Sequence, residues 1–328
     1  AVIMDPLREI RTSTKWVTDQ ATHVKINDDC MLKECNDFVE KHRQKPHKEV
    51  WADNEFHFCN VDRKQTATDH STYLSEDTAK YIIVLDCLNH CFWPDASLEY
   101  HHLARGLKET IEADALAFDA DRLAQVTPAT LHKWFGRDMP NAEERCRLLH
   151  EVGNALTQHF GGSIKNMILS ANHSASALVD IVTRYFWGFR DSAVYHGRQV
   201  FFYKRAQIFV GDLWGAYEGK GLGRFDDIDQ LTMFADYRVP QILRWMGILE
   251  YGDALAKIVD GKQELPVGSE MEMEIRAVTV QAVERMRDIF NKNQCHLLAL
   301  EVDWMLWGRG EAMLDQLAPH HRTLTIFY

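Results

Sequence analysis

One stretch constrains this chain more than any other. Phe202 to Gly247 packs a cationic pair (Lys204, Arg205), a glycine-rich link (Gly219 to Gly223) and one carboxylate, Asp236, between apolar turns. Pro240 breaks a helix that runs through it, because it has no N–H to donate and its ring clashes with the preceding turn. A helix from Leu231, announced by a capping-box pattern at Asp227-Ile-Asp-Gln230, is therefore expected to end near Ala235. A second is expected to begin near Arg238, with Asp236 at or beside its N-cap. Upstream, Lys204 opens a helix to about Glu218 with Ala206, Val210, Leu213 and Tyr217 as its apolar stripe. The stretch thus prescribes two helix starts, one led by a cation and one by a carboxylate.

Helical spacing dominates elsewhere. Asp28 to Lys41 places Met31, Leu32, Cys35, Phe38 and Val39 on one side, and Pro46 ends it, whereas residues 1–50 otherwise read as mixed polar sequence. Ser75-Glu76-Asp77 starts a helix whose apolar positions suit burial, with Asp86 and Asn89 inside the apolar run as polar partners or a pocket wall, and Pro94 closes it. Further helices are expected over Leu98–Ala113, from Thr127-Pro128, over Asn141–Phe160 with Gly161-Gly162 as its stop, over Ser170–Phe186, and at about 253–260 and 270–293, while Leu297 to Trp307 is partly apolar. Strand character is confined to a hairpin around His196-Gly197, within Ala193–Phe202, and a strand-like tail, Thr323–Tyr328. With no repeat, low-complexity tract or linker, the expectation is one compact, mainly helical domain over residues 1–328.

Composition narrows the function. The net charge of −11, with no run of five basic residues, argues against a nucleic-acid backbone as a stable partner, since that binding needs clustered cations to displace counterions. No apolar run is long enough for a membrane helix, and AVIMDPLREIR lacks the basic-then-apolar pattern of a signal peptide. Seven scattered cysteines form no disulfide framework. A soluble, cytoplasmic protein with reduced thiols is expected.

Asp236 is the leading catalytic candidate. As a cap it contributes about 1 kcal/mol, but capping alone does not require the neighbouring Tyr237 and Arg238. A carboxylate sheltered by Phe234 and Tyr237 stabilises a nearby positive charge by roughly 4 kcal/mol at ~4 Å and an effective dielectric of about 20. This suits an oxocarbenium-like transition state in glycosidic cleavage. Lys204 and Arg205, cations at a helix N-terminus, oppose the helix dipole unless an anion binds there, so Lys204 is read as an anion site or a lysine of lowered pKa. The glycines match no phosphate-loop or dinucleotide pattern and read as a connector. Cys87, His90 and Cys91 share a helical face but suggest no fourth ligand, so no metal and no cofactor is expected. Phe92-Trp93 and Asp303 to Trp307 offer aromatic rings beside a carboxylate, able to stack a flat heterocycle while Asp303 accepts its N–H groups.

Leu88–Trp93, Tyr203-Lys-Arg-Ala-Gln-Ile208, Glu218–Gly221 and Thr232-Met-Phe-Ala-Asp-Tyr-Arg238 resemble the queuosine salvage proteins, the queuosine 5′-phosphate N-glycosylase/hydrolases. Glu143–Arg145, Phe160–Gly162, Met271–Arg276 and His321–Tyr328 extend the resemblance over most of the chain after about residue 75, while residues 1–74 are expected to pack on the core. The resemblance implies a fold similar to helix-hairpin-helix DNA glycosylases and hydrolysis of queuosine 5′-monophosphate, releasing queuine for tRNA modification. It matches Asp236 and Lys204 to the catalytic pair. Tyr203, Arg238 and His321 fall in its motifs and join Phe92, Trp93, Phe234, Tyr237, Asp303 and Trp307 as expected substrate contacts. The alternatives are a DNA- or RNA-base glycosylase and a non-catalytic nucleobase-binding module.

Overall fold

Thr78 to Leu88 is apolar on nearly every side, and a helix of that kind is stable only when surrounded. The computed structural model, which describes residues 5–42, 51–62 and 71–328, places it at the centre. Before it come α1 (Pro6–Gln20), β1 (Val24–Ile26) and α2 (Asp28–His42); the central helix is α3 (Asp77–Leu88). There follow α4 (Tyr100–Ala113), α5 (Ala120–Leu123), α6 (Pro128–Phe135), α7 (Ala142–Phe160), α8 (Ile164–Ser170) and α9 (Ala175–Tyr185). A hairpin, β2 (Ser192–Tyr195) and β3 (Arg198–Phe201), leads into α10 (Lys204–Ala216). Then come α11 (Arg238–Trp245), β4 (Leu249–Tyr251), α12 (Asp253–Asp260), α13 (Glu270–Lys292) and α14 (Ala299–Glu311).

α10, α4 and α7 pack around α3, while α13 is flanked by α1, α2 and α14. Buried side chains from α1 to α14 join in one apolar cluster. Three arginines thread this core. Arg205 donates to the carbonyls of Asp86, Cys87 and Gly188, and Arg145 to those of Leu88, His90, Cys91 and Pro140. Together they satisfy the orphan carbonyls at the C-terminus of α3 and place positive charge where the helix dipole favours it.

The third, Arg276 on α13, grips both carboxylate oxygens of Asp191 at 2.8 and 2.6 Å and donates twice to the carbonyl of Ala235. Asp191 receives the backbone N–H of Lys204 on Oδ2 (3.1 Å), and its carbonyl receives those of Phe202 and Tyr203. One ion pair therefore ties down the start of α10 and the residue preceding Asp236. The anion expected at the N-terminus of α10 is the protein's own Asp191.

Several expectations are corrected. Leu231 to Asp236 is not helical: the N–H of Thr232 goes to the Gln207 side chain and that of Phe234 to Asp303, partners a helix would exclude. Asp227 caps α9 instead, accepting from Ser174 Oγ and from the N–H groups of Ala175 and Ser176. The helix expected from Ser170 begins only at Ala175, because Asn172 and His173 are left-handed. The tail Thr323–Tyr328 is not a strand; Arg322 makes one isolated bridge to Glu264, and the carbonyl of Tyr328 accepts from Cys91. Cys91 itself lies beyond the end of α3 in a left-handed conformation, so Cys87, His90 and Cys91 do not share a helical face. The helix at α1 went unseen, although Asp5-Pro6 is a cap followed by proline at the first helical position. The short pairing of β1 with β4 also went unseen. Pro46 lies outside the described residues.

Candidate active site

α10 presents Lys204, Ile208 and Asp212 along one stripe, each four residues from the last. α14 crosses nearby with Asp303, Trp304, Trp307, Gly308 and Glu311 on one face. The extended segment ending in Phe234 and Asp236 lies between them and turns into α11 at Arg238. Gly211 lets Phe234 lie against α10, since a Cβ there would come within 2.9 Å of the ring. The wall is completed by Asn89, His90 and Phe92 after α3, by Glu99 and Tyr100 at the start of α4, by the 51–57 segment, and by Tyr328. The cavity so enclosed is about 400 Å³, within the range of small-ligand sites.

Asp236 caps α11 by accepting the N–H of Val239 on Oδ1 at 2.9 Å, yet it still lines the cavity. Burial pushes its pKa above the ordinary carboxylate value, while Lys204 and Arg238 pull it back down. Lys204 is buried and its Nζ donates to the carbonyl of Asn89 at 3.0 Å. Burial lowers its pKa, opposed first by the Asp236 carboxylate and then by Asp86. Arg238 is held by Glu311 at 2.6 Å and by Gln241. Asp303 gives one oxygen to the N–H of Phe234, and its pKa is raised well above normal by burial and by Asp236. Among the described residues six carboxylates line the cavity, Asp53, Glu99, Asp212, Asp236, Asp303 and Glu311, against the cations Lys204 and Arg238.

The structure brings Asp236, Lys204, Phe92, Phe234, Tyr237, Arg238, Asp303 and Trp307 to one cavity. It does not bring Trp93, Tyr203 or His321 there. The Trp93 indole N–H turns to the carbonyl of Thr323, and Arg322 lies over its ring. Tyr203 is the left-handed residue before α10 and packs on Phe201. His321 is buried behind the wall and reaches it only through the Tyr328 hydroxyl, 3.1 Å away.

Sequence reasoning passed over Asp212, Glu99, Tyr100, Glu311 and Tyr328. Asp212 carried a signal, a lone carboxylate on the stripe shared with Lys204 and Ile208. His57 sits between the Trp51 carbonyl (3.0 Å) and the Tyr100 hydroxyl (2.8 Å), with its ring stacked on Trp51. Burial lowers its pKa to about 4, so at neutral pH Nδ1–H donates to the carbonyl and Nε2 accepts from the tyrosine. The one group of side chains spaced to hold a metal among the described residues, His23, Glu270 and Glu274, is not among the residues lining the cavity.

Known proteins resemble this chain in sequence. The profile of the family described as "Queuosine salvage protein" matches residues 69–328. A protein of Dictyostelium discoideum named queuosine 5′-phosphate N-glycosylase/hydrolase is 65% identical across 99% of this chain and the whole of its own length. Proteins of the same name from Sphaerobacter thermophilus and Mus musculus are 40% and 33% identical, covering 97% and 76% of this chain and 97% and 81% of their own. The chain belongs to the queuosine salvage protein family.

Proposed function

We propose that the cavity is the active site of an N-glycosidase that hydrolyses queuosine 5′-monophosphate and releases queuine. The observation that carries this is Asp236, a carboxylate at a helix start that lines a partly open cavity beside a buried lysine. As the bond between ribose C1′ and the base breaks, positive charge grows on the sugar. Asp236 stabilises that charge and takes the proton of the attacking water. An attraction of roughly 4 kcal/mol at ~4 Å corresponds to about a thousandfold in rate. Lys204 keeps Asp236 ionised and, with Arg238, supplies the positive charge for the 5′-phosphate. Phe92, Phe234, Tyr237 and Trp307 form the aromatic wall against which a flat base stacks, with Asp303 as its acceptor. Trp93, Tyr203 and His321 support that wall from outside.

Residues 1–328 act as one glycosylase unit, to which α1, α2 and the 51–57 segment contribute core and wall. Kinship with the helix-hairpin-helix DNA glycosylases belongs to the same reading, supported by an aspartate leading a helix with Pro240 in its first turn. So does a cytoplasmic setting, in keeping with seven free cysteines. Among the described residues no helix is long and apolar enough to cross a membrane.

The test is base release from the 5′-nucleotide by wild type and Asp236→Asn. Wild-type turnover by the folded variant would overturn the assignment. The phosphate role predicts a kcat/KM at least tenfold lower for the nucleoside, and equal values would refute it.

A further inference from the structure

Asp86 and Asp212 form a buried acid pair that the reaction above leaves unused. Asp86 lies in the last turn of α3, wholly buried, and its carboxyl oxygens have no hydrogen-bond partner outside the Asp212 carboxyl. Asp212 is 2% exposed, its Oδ2 is likewise without a partner, and it lines the cavity. The two carboxyls meet side chain to side chain. Ionised carboxylates only accept, so such a contact requires a proton between them.

The surroundings keep that proton in place. Arg205 faces the pair, but its guanidinium donates to the carbonyls of Asp86, Cys87 and Gly188. Lys204 faces it too, while donating to Asn89 and sharing its charge with Asp236. Tyr81 from α3, Tyr100 from α4, Asp303 from α14 and the Trp51 side chain complete the shell. None of these supplies a cation dedicated to the pair. Burial and the neighbouring carboxyl raise Asp86 well above the usual range, and burial raises Asp212 to about 7.

An acid placed here answers a need of the chemistry. A purine leaves its sugar readily once protonated at N7, but a 7-deazapurine such as queuine has carbon at that position. Its departure calls for a proton delivered elsewhere on the base. We propose that Asp212 is the general acid of the reaction, passing the proton it shares with Asp86 to a heteroatom of the departing base. The proposal rests on the glycosidase reading above. The C1′–N bond breaks and its electron pair goes to the base, which gains the proton from Asp212. Water oxygen bonds to C1′, its proton goes to Asp236 and then to solvent, and the acid pair is reprotonated from solvent. Asp86, whose carboxyl titrates higher and donates to Asp212, is a positioning residue that orients the Asp212 carboxyl.

The experiment compares wild type, Asp212→Asn and Asp86→Asn on queuosine 5′-monophosphate and on p-nitrophenyl ribofuranoside 5′-phosphate, whose leaving group departs without protonation. General acid catalysis predicts a 10²- to 10³-fold loss of kcat for Asp212→Asn on the nucleotide. It predicts a change of no more than about threefold on the nitrophenyl substrate, and the same pattern, smaller, for Asp86→Asn. Wild-type kcat on the nucleotide falls as pH rises through about 7, and the Asp212→Asn profile lacks that limb. Equal losses on both substrates, a loss under threefold, or a wild-type kcat flat from pH 6 to 9 would each overturn the proposal. If wild type does not cleave the nitrophenyl substrate, the pH limb and its loss decide. If wild type releases no base from the nucleotide, the glycosidase reading itself has failed.

Discussion

Two sets of buried charges sit on either side of Lys204, and they are built on opposite terms. In the brace, Arg276 and Asp191 meet through two hydrogen bonds, and the remaining valences go to the Ala235 carbonyl and the Lys204 N–H. At the cavity, Asp212 and Asp303, with Asp86 buried behind the wall, are raised carboxyls, and Asp86 meets no hydrogen-bond partner outside the acid pair. Burying a charge costs several kcal/mol unless partners are complete, so the brace is arranged for position and the wall against stability. The difference teaches where the fold keeps its reactive groups. The Lys204 N–H and the Ala235 carbonyl are both anchored by the brace, whereas Asp212 brings an unpartnered carboxyl oxygen to the cavity.

Changes that strike one region and spare the other test this contrast. The largest effect is expected for Asp236→Asn, a loss of at least about a thousandfold in kcat, with the midpoint of thermal unfolding within a few degrees of wild type. Arg276→Met is expected to cost about 3–5 kcal/mol, because it leaves the Asp191 carboxylate buried and unpaired. Urea denaturation measures this, and kcat falls in parallel because Ala235 is released beside Asp236. A loss under 1 kcal/mol would mean that the brace is ornamental.

Asp212→Asn is expected to stabilise, and only at higher pH. The unfolded chain ionises this carboxyl near 3.8 and the folded chain near 7, so the folded state binds more protons in between. The stability held by the protonated form is present below pH 3.8 and is lost as the pH rises to 7. At pH 8 the variant is therefore more stable than wild type by about 4 kcal/mol, and at pH 4 the two nearly coincide. Thermal melts at both pH values check the sign.

The smallest effect belongs to the residue where the regions meet. Tyr328 lines the cavity, lies against Arg276 with 4.2 Å between guanidinium carbon and ring centroid, and donates to Glu272 at 2.7 Å. Tyr328→Phe loses about 1–3 kcal/mol of stability, because Glu272 and His321 both lose the hydroxyl as a partner. Its kcat stays within a few-fold of wild type.

What was legible in the sequence was punctuation. Ser75-Glu76-Asp77, Thr127-Pro128, the Gly161-Gly162 stop and Pro240 bound their helices because each acts within a turn of itself. Lys204 and Asp236 could be paired for the same reason, as the first residues of successive helices. Leu231–Asp236 was misread because its N–H partners, Gln207 and Asp303, come from helices distant in sequence and leave no local mark. The tail was misread because alternation along Thr323–Tyr328 reflects burial against loops, with no sheet edge to join. Asp212 was overlooked because a carboxylate in an apolar stripe looks like a flaw until the cavity behind it is seen.

The seating of α1 on α13 has a consequence for how the chain is made. Leu7, Ile10 and Val17 are covered in part by a helix that starts at Glu270. At a synthesis rate of about 5–20 residues per second, that helix emerges roughly 15–50 seconds after α1. Until then only β3 and α9, made earlier, are there to cover part of the apolar face of the first helix. The apolar face of α1 is therefore fully covered only once α13 has been made.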